Sequence, residues 1–208
     1  MDIRKAAKQL WHFLWVEDSV WSWIANAVLA FVLIKFVVYP GLGLLLGTPF
    51  PVVAVVSKSM EHTGNFNAWW EQQGQWYEAK GISKDEFRGY TLSSGFNKGD
   101  IIILWGKEAQ NIKRGDIIVF KTLRPDPIIH RVVGTGESFQ TKGDNNPDSI
   151  IEYRLADGTR VPKGNPQALR IIDETGISED QILGTAFFRI PFIGWIKIIF
   201  VDLISLFH

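Results

Sequence analysis

Ser59, His130, Asp144 and Asp148 are the residues of this sequence whose types can be combined into a reaction. There is no cysteine, which excludes a thiol nucleophile, a disulfide framework and a Cys-ligated zinc or iron–sulfur site. The four histidines, at positions 12, 62, 130 and 208, have no HExxH or paired-ligand spacing, so no metal centre is indicated and no cofactor is expected. A hydrolase on such a chain needs a hydroxyl nucleophile and a nearby base, because serine at its free pKa attacks poorly. Ser59 stands in VVAVVSKSMEHT, just after an uncharged stretch; Ser57 can turn its hydroxyl toward the same point, and the Ser59 N–H can be the second donor of an oxyanion hole. His130, in DPIIHRVVG, is the candidate base near neutral pH, with Ile129 and Arg131 facing the other side of its strand. Asp144 and Asp148 lie in KGDNNPDS, a turn that can hold a carboxylate against an imidazole. Each is ordinary when taken alone, since serines and aspartates populate turns and a strand histidine is commonly structural. Lys58 neighbours Ser59 and points away from it on an extended chain, so it is not taken as the base.

The elements that must position these residues are segregated along the chain. Residues 20–39 read VWSWIANAVLAFVLIKFVVY, long enough to cross a hydrocarbon core of roughly 30 Å as a helix, with Lys35 near its end and Trp21, Trp23 and Tyr39 at the boundaries. Residues 1–19 include RKAAKQLWHFLWV, an amphipathic segment suited to an anionic leaflet, with Arg4, Lys5 and Lys8 near its start. Those cations precede an anchor followed by an uncharged stretch, so the N-terminus is expected in the cytoplasm and the remainder outside it. Residues 190–208 form a second apolar segment, interrupted by Lys197 and Asp202, that is a second span, an in-plane helix or a helix packed on the anchor.

Between them, residues 49–189 are enough for one core. Short β-branched and aromatic runs at 52–56, 101–105, 117–121, 128–133, 139–142 and 182–188 are bounded by Gly, Asn and Asp turns, which predicts a mainly β domain. Residues 61–96 change character to polar and Trp-rich and predict a helical insertion, with Asn67 and Ser83 as caps and the tryptophans packed on the sheet. Lys plus Arg balance Asp plus Glu at 22 each, so there is no global attraction for nucleic acid and no such partner is expected. The single echo of KGDII in RGDII reflects two similar strand entries.

In order along the chain, SKSM around Ser59, GDIIVFK, IIHRVVG and TKGDNN resemble the type I signal peptidases, and the likeness runs from the anchor through the β domain. The bacterial branch has a lysine base where this chain has His130, so the resemblance is to the archaeal and endoplasmic-reticulum branch, which uses serine and histidine. The Trp-rich insertion looks like that of archaeal members. The resemblance implies a signal-peptidase-like β catalytic domain, membrane-bound and extracytoplasmic, in the plasma or endoplasmic-reticulum membrane. It implies Ser59 as nucleophile, His130 as general base and Ser57 as a contributor to the oxyanion hole. The family has an Asp matching Asp144 and a second, usually the triad member, a few residues later; Asp148 fills that place in a spacing compressed around Pro147 and is preferred over Asp144. The implied partners are signal-peptide-bearing preproteins, the lipid bilayer and the protein translocation channel. Two other classes stand beside this reading: a catalytically silent, membrane-tethered scaffold of a translocation complex, and a self-cleaving regulator of related fold.

Overall fold

The structure, a computed structural model, describes residues 3–196, 198 and 199 and falls into two units, 1–45 and 46–208. In the first, α1 (Ile3–Trp15) leads into α2 (Val20–Leu33), a π-helical turn (Ile34–Val38) and α3 (Tyr39–Leu46), whose last residue begins the second unit. The last three form one apolar helix, Val20–Leu46, of 27 residues with mean hydropathy 2.2 and none of its apolar window buried. The helix runs past the expected boundary at residue 39, because Pro40 is accommodated by the wider turn just before it and the helix ends only at Gly47, whose φ is +65°. Ser19 caps the start of α2 by accepting from the Ser22 N–H at 3.2 Å. Ser22 Oγ and Asn26 Nδ2 donate to the Phe13 and Leu14 carbonyls at 2.6 and 2.8 Å, which satisfies two orphan acceptors at the end of α1.

The second unit is mainly β. Strands β1 (Val52–Ala54), β2 (Ile101–Trp105), β3 (Ile117–Phe120), β4 (Ile128–Gly134), β5 (Gln140–Lys142) and β9 (Ile182–Ile190) form an antiparallel sheet in the order β1-β2-β9-β3-β4-β5. A smaller sheet, ordered β7-β6-β8, is built from β6 (Ile151–Arg154), β7 (Arg160–Val161) and β8 (Leu169–Asp173). The sequence did not predict this sheet, because its strands are short and heavily charged and show no clean alternation. Val55, Met60, Ile102, Leu104, Val119 and Ala186 pack one core of the large sheet, while Ile118, Phe120, Val132 and Phe139 pack a second with Ile177. Burial on both faces explains why β3 reads as a continuous apolar run.

The Trp-rich segment carries α4 (Phe66–Ala79) and α5 (Lys84–Arg88). Asn65, not Asn67, caps α4: its extended backbone aims Oδ1 at the N–H groups of Asn67 and Ala68, both at 3.0 Å. Trp69, Trp70, Tyr77 and Phe87 are buried together with Val133 of β4, so these aromatics pack onto the sheet. Of the apolar C-terminal segment 190–208, the structure describes residues up to 196, with 198 and 199. There the Phe192 N–H donates to Asp100 Oδ1 at 3.2 Å and Ile198 is buried. Position 197 and residues 200–208 lie outside the described residues.

Candidate active site

Ser59 sits in the turn that follows β1. That turn is fixed from both sides: the Phe96 N–H donates to the Met60 carbonyl at 3.0 Å, and the Asn145 N–H donates to the Ser59 carbonyl at 2.7 Å. His130 lies mid-way along β4, paired with Ile118 of β3, and is 3% exposed. Its Nε2 is 2.9 Å from Ser59 Oγ, close enough for a proton to pass between them. Ser57 Oγ lies 3.1 Å from Ser59 Oγ. Gly143 passes so close beneath the pair that a Cβ there would stand 2.8 Å from His130 Nε2 and 2.9 Å from the Ser59 carbonyl oxygen.

The other imidazole nitrogen departs from expectation. His130 Nδ1 bonds Glu174 Oε1, and neither Asp148 nor Asp144. Glu174 follows β8 and is fully buried. Its Oε1 also accepts from Thr141 Oγ1 at 2.8 Å and its Oε2 from the Ile150 N–H at 2.6 Å, while its backbone pairs with Ile150 and Thr141. A carboxylate locked by two further donors holds the imidazole in one orientation and favours the tautomer with its proton on Nδ1. Asp148, the expected partner, instead accepts from Trp76 Nε1 at 3.0 Å and from the Ser149 N–H at 2.7 Å, because the compressed loop turns it toward the insertion.

Asp144 is fully buried and committed elsewhere. It accepts from Arg131 Nε and Nη2 at 2.9 and 2.7 Å, from Tyr77 Oη at 2.9 Å and from His62 Nε2 at 3.0 Å. Burial pushes its carboxyl upward, but the Arg131 charge and the hydrogen bonds from His62 and Arg131 outweigh that and hold it well below the usual carboxylate range. Arg131, on the face of β4 opposite His130, also donates to the carbonyls of Thr91, Leu92 and Gly115. Asp144 thus ties β4, the insertion and the 143–146 loop into one network, and that loop holds the Ser59 carbonyl. Beside it, burial lowers the Lys142 ammonium to about 8, against the raising effects of Asp144 and Glu174.

Nothing in the sequence distinguished Glu174 from the other acids of DETGISED, since its importance comes from a strand pairing that the pattern does not reveal. Nothing in the sequence assigns His62, Tyr77 or Arg131 a place at the site for the same reason: their partners are distant along the chain.

A cleft of about 680 Å³ opens at Ser59 and His130, lined by β1 residues Val53 and Ala54 on the large sheet and by Arg154, Leu169 and Ile171 of the small one. Among the described residues β1 is an outer strand of its sheet, with an edge that no other strand pairs and that is open to an extended chain. A serine hydroxyl on an imidazole held by a buried carboxylate, at the mouth of such a cleft, is the arrangement of a serine hydrolase.

No family model matches the chain. It is similar to the signal peptidase complex catalytic subunit SEC11 of Colletotrichum graminicola, at 26% identity over 84% of this chain and 80% of that protein. The corresponding subunit of Pyrenophora tritici-repentis is 27% identical over 89% and 86%, and that of Sclerotinia sclerotiorum 28% identical over 84% and 80%. Homologues at about 26% identity over most of the chain are thus named as catalytic subunits of the signal peptidase complex, an endoplasmic-reticulum type of type I signal peptidase.

Proposed function

We propose that this chain is a membrane-anchored serine endopeptidase that removes N-terminal signal peptides from exported precursors. The carrying observation is the 2.9 Å approach of His130 Nε2 to Ser59 Oγ in the open cleft. Ser59 attacks the carbonyl at the cut while His130 takes its proton; Glu174 stabilises the imidazolium, and Ser57 donates to the developing oxyanion. His130 then protonates the leaving amine, and water releases the acyl group. The substrate lies extended beside β1, where alternate side chains enter shallow pockets and small residues fit. The helix Val20–Leu46 anchors the chain, with the N-terminus cytoplasmic and the β unit outside. Its partners are signal-peptide-bearing precursors, other subunits of a signal peptidase complex, the lipid bilayer and the translocation channel.

Relatives named as catalytic subunits favour this reading over a silent scaffold. The test is incubation of the detergent-solubilised chain with a preprotein, reading the new N-terminus by mass spectrometry, with Ser59→Ala as control. Cleavage after the signal peptide by the unaltered chain alone supports the reading; no cleavage, or equal cleavage by the variant, overturns it.

A further inference from the structure

The cleft beside Ser59 carries charge that the acyl-transfer chemistry does not use. Arg124, in the loop between β3 and β4, and Arg154, on β6, both line it, with guanidinium-bearing side chains 39% and 35% exposed. Behind them Glu152, only 4% exposed, accepts from Arg154 Nε through Oε1 and from Arg124 Nη2 and Arg160 Nη2 through Oε2, the last two at 3.1 Å. Burial raises the Glu152 carboxyl, but the Arg154 hydrogen bond and the Arg124 and Arg160 charges outweigh it, so it stays ionised. Three guanidinium groups therefore share one carboxylate. Among the described residues Asp126 is the only acidic side chain lining the cleft, and Asp157, in the neighbouring turn, accepts from the Thr159 N–H. The two arginines of the cleft thus share their one ion-pair partner with Arg160, and each is already oriented by Glu152, so a ligand need not order them.

We propose that Arg124 and Arg154 form a carboxylate-binding subsite, by which the enzyme prefers substrates with an Asp or Glu in the extended segment near the cut. The proposal rests on the signal-peptidase reading for its ligand, an extended polypeptide. Asp and Glu match the bidentate geometry of a guanidinium, and a cleft of this size has room for neighbouring side chains.

The test uses the full-length chain in detergent with Ser59→Ala, so that binding is read without turnover. Fluorescent peptides carrying one Glu, or Gln in its place, at each position from about four before to four after the cut are titrated by anisotropy. At one or two adjacent positions the Glu peptide binds about fivefold tighter, as expected for a partly exposed ion pair, and the preference fades as added salt shortens the screening length. Adding Arg124→Gln and Arg154→Gln abolishes the Glu-over-Gln ratio; comparing the ratio within each protein removes any loss of folded fraction. A ratio near one at every position, a ratio unchanged by the arginine variants, or no peptide binding at all overturns the proposal. Cleavage of a neutral signal peptide by the unaltered chain is scored separately, so failure of the subsite is distinguishable from failure of the peptidase reading.

Discussion

At the scale of single residues, the chemistry depends on which carboxylate meets His130 Nδ1. Glu174 does so while also accepting from Thr141 Oγ1 and the Ile150 N–H, whereas Asp148 is bonded to Trp76. Glu174→Gln keeps the shape and an acceptor but no longer stabilises the imidazolium, so turnover is expected to fall on the order of 10⁴-fold, by analogy with a triad aspartate changed to asparagine. Asp148→Asn should leave turnover within a few-fold, because it can still accept from Trp76 and Ser149. Steady-state rates alongside melting temperatures decide between them, and a dead but folded Asp148→Asn would restore the original expectation. Lys142 gives a second prediction. Burial lowers its pKa to about 8 from 10.5, so between those values the unfolded chain binds more protons than the folded one, and stability rises with pH across that window. Lys142→Met lacks this dependence. Relative to it, the unaltered chain should gain about 3 kcal/mol between pH 7.5 and 10.5, read by urea unfolding at a series of pH values; a constant difference would contradict the burial argument.

At the scale of elements, Asp144 acts as the joint between the insertion and the sheet. Turn chemistry alone implies that its loss costs about 1 kcal/mol of hydrogen bonding. The buried Arg131–Asp144 pair implies more, because Asp144→Asn leaves the Arg131 charge uncompensated in a fully buried site, a loss of about 3 to 5 kcal/mol. Denaturant unfolding reads the difference, and a loss below about 1 kcal/mol would show that water or neighbouring carbonyls satisfy Arg131. The elements also mark how far the sequence could be read. Ser59 and His130 stand in short motifs whose local pattern already places them, one at a strand end and one mid-strand. β2, β3, β4 and β9 are apolar runs bounded by turn residues and were legible. The β6-β7-β8 sheet was not: Arg154, Arg160 and Arg170 stand in strands held by pairing and by ion pairs to Glu152 and Asp173, and neither leaves a periodic apolar signature. Glu174 was lost with that sheet. Asn65 and Asn67 are equivalent as caps by residue type, and only the backbone conformation makes Asn65 the cap.

At the scale of the whole molecule, cleavage of exported precursors needs the catalytic unit outside the membrane and the cations of α1 on the cytoplasmic side. The chain has no cysteine, so a single introduced thiol reports unambiguously. Ser94→Cys, at an exposed position, should react with an impermeant maleimide on the outer side of sealed membranes, and Ala7→Cys on α1 should react only after permeabilisation. The reverse pattern would put Ser59 on the wrong side for exported precursors. The most direct measurement on the central claim, that Ser59 is the nucleophile and His130 its base, is active-site labelling. A peptidyl phosphonate ending in small residues is reacted with the full-length chain, and the modified residue is mapped by mass spectrometry. The account predicts one phosphonyl group, on Ser59, with a labelling rate that falls on the order of 10³-fold or more in His130→Ala, since nucleophile and base act as a unit. A label on another residue, no label, or undiminished labelling of Ser59 without His130 would contradict it.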